Sequence, residues 1–187
     1  MRIVAGRHRH RRLIAPEGTG VRPTADRVRE TLFNILVSSG AWRGLDGARV
    51  ADIFCGTGAI ALEALSRGAS HAVLVDNAPA ALDAASRNII ALGEDRHTML
   101  VRCDATRRLP AIPHPVDLAY LDPPWRSDLA GTALENLRAS GWLNPGALAV
   151  VEQPKVASLH VPDGFTPVDE RTLGRARLVF LCLAGAS

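Results

Sequence analysis

From Arg49 to Glu152 short apolar runs alternate with stretches of helical spacing, and that alternation leaves few folds open. The predicted strands are Val50–Phe54, Ala72–Val75, Met99–Cys103, Val116–Leu121 and Ala147–Glu152. They are apolar nearly throughout, as strands covered on both faces must be. Between them lie predicted helices Ala59–Arg67, Pro79–Leu92 and Asp128–Ala139, stopped by Gly68, Gly93 and Gly141. Such an order specifies a mainly parallel sheet between two helix layers. Thr166–Thr172 and Arg177–Leu183, joined at Gly174, read as an antiparallel hairpin closing one edge, for seven strands in all.

The segment before this unit is built differently. Arg2–Ala5 and Arg12–Ala15 flank a basic run that begins at Gly6, which predicts a β-hairpin with a cationic tip. A Gly/Pro linker follows from Pro16 to Pro23. Thr24 then offers an N-cap, and Val28, Leu32, Ile35 and Leu36 recur at helical spacing over Ala25–Ser38. The expected organisation is a basic hairpin arm and linker over 1–23 and an α/β domain over 24–187, with helix 24–38 packed on it. The overall charge of +3 conceals an asymmetry. Residues 1–30 hold eight arginines against Glu17, Asp26 and Glu30, which leaves the remainder net negative. A basic arm on such a body suits a polyanion, so Arg7, Arg9, Arg11, Arg12, Arg22 and Arg29 are candidate RNA contacts. His8 and His10, set among arginines, fit an anion-facing segment better than a metal site, and no metal is expected.

Asp52, Asp76, Asp104 and Asp122 all fall beside predicted strand ends, the rim at which doubly wound sheets bind ligands. Gly56-Thr57-Gly58 permits a tight turn and close approach of backbone to a ligand. Asp76, eighteen residues after Gly58, is placed to reach ribose hydroxyls. The spacing Gly56-x-Gly58-x-x-Ala61 also fits a dinucleotide site, so an NAD-dependent oxidoreductase competes. Against it stand the acid before the turn and the tetrapeptide Asp122-Pro123-Pro124-Trp125. An acid, two φ-restricted prolines and an aromatic ring can grip a planar base by its exocyclic amine. The ring would contribute roughly 1–3 kcal/mol by stacking. S-adenosylmethionine as donor and an amine as acceptor fit both ends, and a paired base would have to be flipped out.

These residues resemble the class I, Rossmann-like methyltransferases, and more narrowly the RsmD family of 16S rRNA guanine-N2 methyltransferases. The likeness runs through Arg2–Gly6, Arg22–Asn34, Asp52–Ala59, Leu62–Ala69 and the Asp-Pro-Pro bracket. It implies S-adenosylmethionine, leaving as S-adenosylhomocysteine, held by Asp52, Phe54, Gly56, Gly58, Asp76, Asn77, Asp104 and Ala105, with Thr24 and Arg27 nearby. It implies Asp122, Pro123, Pro124 and Trp125 around a guanine of the small ribosomal subunit or a late assembly intermediate. Trp125 stands where the family usually has Phe or Tyr, and Cys55 where it has alanine or serine.

Three rivals stay open from the residues alone: a DNA adenine-N6 methyltransferase, the oxidoreductase, and a catalytically silent RNA-binding assembly factor. The chain has no apolar run near the ~20 residues a membrane-crossing helix needs, and no apolar core follows its N-terminal arginines. Cys55, Cys103 and Cys182 are widely spaced, as in a reducing compartment. A cytoplasmic monomer is expected.

Overall fold

The computed structural model describes residues 1–15, 23–38, 42, 44–125 and 129–185. Residues 16–22 of the predicted linker, Arg22 among them, and Asp128 lie outside them, as do the side chains of residues 23–26, Thr24 included; Pro23, expected in the linker, begins the first helix. The elements are α1 (Pro23–Ser38), β1 (Arg49–Ile53), α2 (Ala59–Ser66), β2 (His71–Asp76), α3 (Pro79–Leu92), β3 (Thr98–Arg102), β4 (Val116–Leu121), α4 (Leu129–Ala139), β5 (Leu143–Pro154), β6 (Phe165–Leu173) and β7 (Ala176–Leu183). Among the described residues no helix is long and apolar enough to cross a membrane.

The seven strands form one sheet in the order β3-β2-β1-β4-β5-β7-β6. The first five run parallel. The C-terminal hairpin then adds β7 antiparallel to β5, leaving β6 as the outer strand. Chain order reverses between β1 and β4, and there the carboxyl ends of the strands part to leave a crevice.

Two cores explain why strands with no polar alternation are stable. On one face Leu74, Leu118 and Val150 pack with Leu62 and Leu65 of α2, Ile89 of α3, and Leu32 and Leu36 of α1. On the other, Ile53, Val75, Leu121 and Val151 meet Leu134 and Leu137 of α4 and the fully buried Trp142. Burying each leucine contributes about 1.5–3 kcal/mol. The Trp142 indole donates to the Pro110 carbonyl at 2.8 Å, so the ring enters the core without an orphaned N–H.

Strand β5 runs four residues further back than the apolar run suggests. Leu143 pairs with Val116 and Leu148 with Leu118, so Asn144-Pro145-Gly146 forms a kink absorbed by a register shift. Gly146 takes φ 76° there. Phe54, expected as the last residue of β1, instead leaves the strand at φ 63°, a left-handed conformation unusual for a ring-bearing residue.

The N-terminal hairpin departs most from expectation. It forms, with a single bridge between Arg2 and Arg12 and a 2.9 Å bond from Ile3 N–H to the Arg11 carbonyl. It is not a free arm. Ile3 and Leu13 are buried in the first core. The fully buried Glu63 of α2 accepts the backbone N–H groups of Val4 (2.7 Å) and Ala5 (3.0 Å). Glu63 also takes the Arg67 Nε at 2.7 Å and lies 3.7 Å from Arg29 Nε. A buried charge persists only when paired and bonded in this way. Gly6 sits at φ 81° with its α-carbon so close to α2 that a β-carbon would fall 1.8 Å from the Ser66 carbonyl oxygen.

Candidate active site

The turn after β1 is held from both neighbours. Cys55 N–H donates to the Val75 carbonyl at 2.9 Å, and Gly58 N–H to the Cys55 carbonyl at 2.8 Å. Gly58 has φ 75°, and an added β-carbon would lie 2.6 Å from a Leu74 methyl, so this glycine allows close packing of helix on strand. Gly56 has φ 53°, and an added β-carbon there would meet nothing within 4 Å. Open space therefore stands over the backbone where a ligand would approach. The Cys55 thiol is buried and its pKa pushed up, so it fills space rather than acting as a nucleophile.

Asp76, at the end of β2, accepts Gly56 N–H through Oδ2 and Ala78 N–H through Oδ1, both at 2.9 Å. Those bonds aim the carboxylate and leave lone pairs for a hydroxyl donor. Asn77 is exposed beside it. Asp104 follows β3, where Cys103 N–H bonds the Asp76 carbonyl at 3.2 Å. Its Oδ1 takes the Thr106 hydroxyl (2.6 Å) and N–H (2.9 Å), which hold its carboxyl below the usual range. The Ala105 methyl is packed into the second core, so only its backbone can face a ligand.

Asp52 is the buried acid of the group, 2% exposed, with Oδ2 accepting Ala61 N–H at 3.1 Å. Burial lifts its pKa to about 8 against that bond, and the charges of Asp122 and Asp76 add to the rise. It is mostly protonated at neutral pH in the free protein.

Asp122 opens the bracket one residue past β4, its N–H reaching the Ile53 carbonyl at 3.4 Å. It is exposed, Pro123 is buried, and Pro124 is exposed. Trp125 keeps 38% of its surface open, so its indole is available for stacking. A cavity of about 230 Å³ is lined jointly by Asp52, Phe54, Gly56 and Asp122. The glycine turn and Asp122, the first residue of the bracket, thus open on one space. The same walls include Arg29 and, beyond the residues singled out from sequence, Met1, Tyr120 and Glu152. The Tyr120 hydroxyl donates to Glu152 Oε2 across β4 and β5. Burial raises the Glu152 pKa and the phenol bond opposes that rise. The available signal was that Glu152 ends an apolar strand just as Asp76 does.

The arginines divide. Arg29, read from sequence as an RNA contact, is withdrawn from the outer surface: its side chain is 3% exposed, donates to the Arg2 carbonyl at 2.6 Å and stands in the wall of the cavity that Asp52 and Asp122 line. Arg27 is not among the residues that line that cavity. It is two residues away, nearly the opposite side of a 3.6-residue helix, and lines a second cavity of about 490 Å³ with Arg2, Arg9, His10 and Glu30. Arg7 is bound to Glu94 at 2.6 Å and Arg11 to the Ala91 carbonyl at 2.5 Å. Arg9 and Arg12 are exposed.

The whole of this framework has known counterparts. Ribosomal RNA small subunit methyltransferase D of Escherichia coli is 37% identical over 152 residues, covering 81% of this chain and 74% of that protein. The Haemophilus influenzae protein of the same name is 33% identical, covering 93% and 89%. A solved E. coli structure titled as the putative methyltransferase yhhF superposes with TM-score 0.84 at 31% identity, covering 100% of this chain and 99% of that one. The fold is therefore the Rossmann-like class I methyltransferase fold. A family model described as Conserved hypothetical protein 95 matches residues 1–182, from the docked hairpin through the glycine turn and bracket to β7, so the chain belongs to that family, the RsmD family.

Proposed function

We propose that this protein transfers a methyl group from S-adenosylmethionine to the N2 amine of an unpaired guanine in small-subunit ribosomal RNA. One observation carries the reading: Gly56 and Asp52 of the cofactor end and Asp122 of the bracket line a single cavity. The names of the E. coli and H. influenzae relatives supply the ribosomal RNA and the subunit.

The residues present suit the donor. Asp76 and Asp104 are carboxylates oriented by backbone bonds, fitted to ribose and adenine, and the open face of Gly56 would admit the methionine portion. S-adenosylmethionine supplies an electrophilic methyl on a positively charged sulfur. Everything else is positioning. The Asp122 carboxylate and the Pro123 carbonyl accept the two amine hydrogens, which turns the nitrogen lone pair toward the donor. Pro123 and Pro124 fix φ and hold those acceptors still. Trp125 stacks on the base, and the amine's surplus proton leaves toward solvent at the exposed Asp122. Alignment of this kind contributes much of the rate in reactions that need no strong base. Exposed Arg2, Arg9, Arg12 and Arg27 contact the RNA backbone. The same reading makes the protein a cytoplasmic monomer acting on the small subunit or a late assembly intermediate.

A labelled-methyl assay on small subunits from cells lacking the enzyme tests this. N2-methylguanosine should be the labelled nucleoside; label on adenine, or none, overturns the reading.

A further inference from the structure

Resting on that reading, we propose that Glu152, held by Tyr120, is the residue that selects guanine by accepting its N1–H. Glu152 stands in the wall of the cavity that Asp122 enters, although neither the glycine turn nor the bracket contains it. Leu121 pairs with Val151 in register, so Asp122 and Glu152 are the next residues along adjacent strands about 4.8 Å apart. Tyr120 pairs with Val150, two residues before Glu152, and Asp52 pairs with Tyr120. Asp52, Tyr120 and Glu152 therefore project from one face of the sheet.

The hydrogen bonding leaves one task open. Tyr120 donates to Glu152 Oε2, and among the described residues no other hydrogen bond or ion pair involves the carboxylate. Burial and the acids around it keep the Tyr120 phenol protonated, so it remains a donor. The phenol thus fixes the carboxylate's orientation and leaves Oε1 as an acceptor at the cavity. An ionised carboxylate can only accept. The Watson–Crick edge of guanine presents N1–H beside the N2 amine, two neighbouring donors for two neighbouring carboxylates. Asp122 takes the amine and Glu152 takes N1–H. Adenine presents a lone pair at N1, which would face Oε1 with no proton between them. A buried acceptor left unpaired costs about 1–3 kcal/mol, equivalent to roughly a ten- to hundredfold preference.

The test uses 2,6-diaminopurine, which keeps the reacting 2-amino group but has no proton on N1. Small subunits are reconstituted with guanine or diaminopurine at the nucleotide the wild-type protein methylates. Wild type should favour guanine by about ten- to hundredfold in kcat/KM. Glu152→Gln offers an amide N–H to the bare N1 and should shift the ratio toward diaminopurine by at least about tenfold, with cofactor affinity by calorimetry unchanged. An unchanged ratio with intact cofactor binding overturns the role of Glu152 while guanine methylation itself still stands. Failure of wild type to methylate any guanine N2 overturns the parent reading and this one with it. Should Glu152→Gln lose cofactor binding, Tyr120→Phe decides. Freed from the phenol, the carboxylate should lose part of its preference for guanine, and a preference equal to wild type overturns the proposal.

Discussion

The Asp76 carboxylate accepts the Gly56 amide at 2.9 Å, so the end of β2 holds the turn that follows β1. That turn and Asp122 after β4 open on one cavity, so the bond fixes one wall of the space that Asp122 lines from another strand.

Asp122→Ala should lower methyl transfer by at least about a hundredfold while leaving S-adenosylmethionine affinity within about threefold, because the side chain orients the acceptor amine rather than the donor. Single-turnover kinetics and calorimetric titration measure the two. Near wild-type turnover would remove Asp122 from the chemistry.

Asp52 ties stability to pH. Its folded pKa of about 8 lies above the model carboxylate value of 3.8, so the folded state binds more protons than the unfolded one between those values. Its contribution to stability is therefore present at low pH and lost as pH rises toward 8. Asp52→Asn should flatten the decline in unfolding free energy across that window by up to a few kcal/mol. Urea titrations at a series of pH values check it; parallel curves for the two proteins would contradict the burial assigned to Asp52.

Glu63→Ala should destabilise the protein by about 3–5 kcal/mol. The substitution removes a carboxylate from beside Arg29 and Arg67 and the acceptor for Val4 and Ala5. A fall in chemical stability below about 1 kcal/mol would show that the hairpin docks by other means.

Arg2, Arg9 and Arg27 share a cavity and are all exposed, whereas Arg7 and Arg11 already hold partners. Replacing those three with glutamine should reduce the slope of log K against log salt for RNA binding by about 2–3. The same change at Arg7 and Arg11 should reduce it less. Equal effects would return the interface to the hairpin tip.

Strand and helix content was legible because apolar runs without alternation have one use in a chain of this composition, and Gly68, Gly93 and Gly141 mark where helices stop. The tight turn after β1 was legible because Gly56 and Gly58 need left-handed conformations that other residues resist. Arg27 and Arg29 were not separable. Two residues apart on α1 they face opposite ways, and only the phase of the packed helix decides which one is buried. Glu63 reads from sequence as a solvated charge on a short helix. Its role as anchor for a hairpin some sixty residues away exists only after folding. Glu152 shows a different loss, because its partner Tyr120 lies on another strand and no spacing in the chain connects them.

The insertion of β7 between β5 and β6 has a consequence for biosynthesis. On a translating ribosome that side of β5 stays without its partner until residues 176–183 emerge, because β7 is the strand that pairs there. Open strand edges are where nascent chains pair wrongly. β7 is thus the strand that seals the sheet beside Glu152, whose partner across the pair is Leu178.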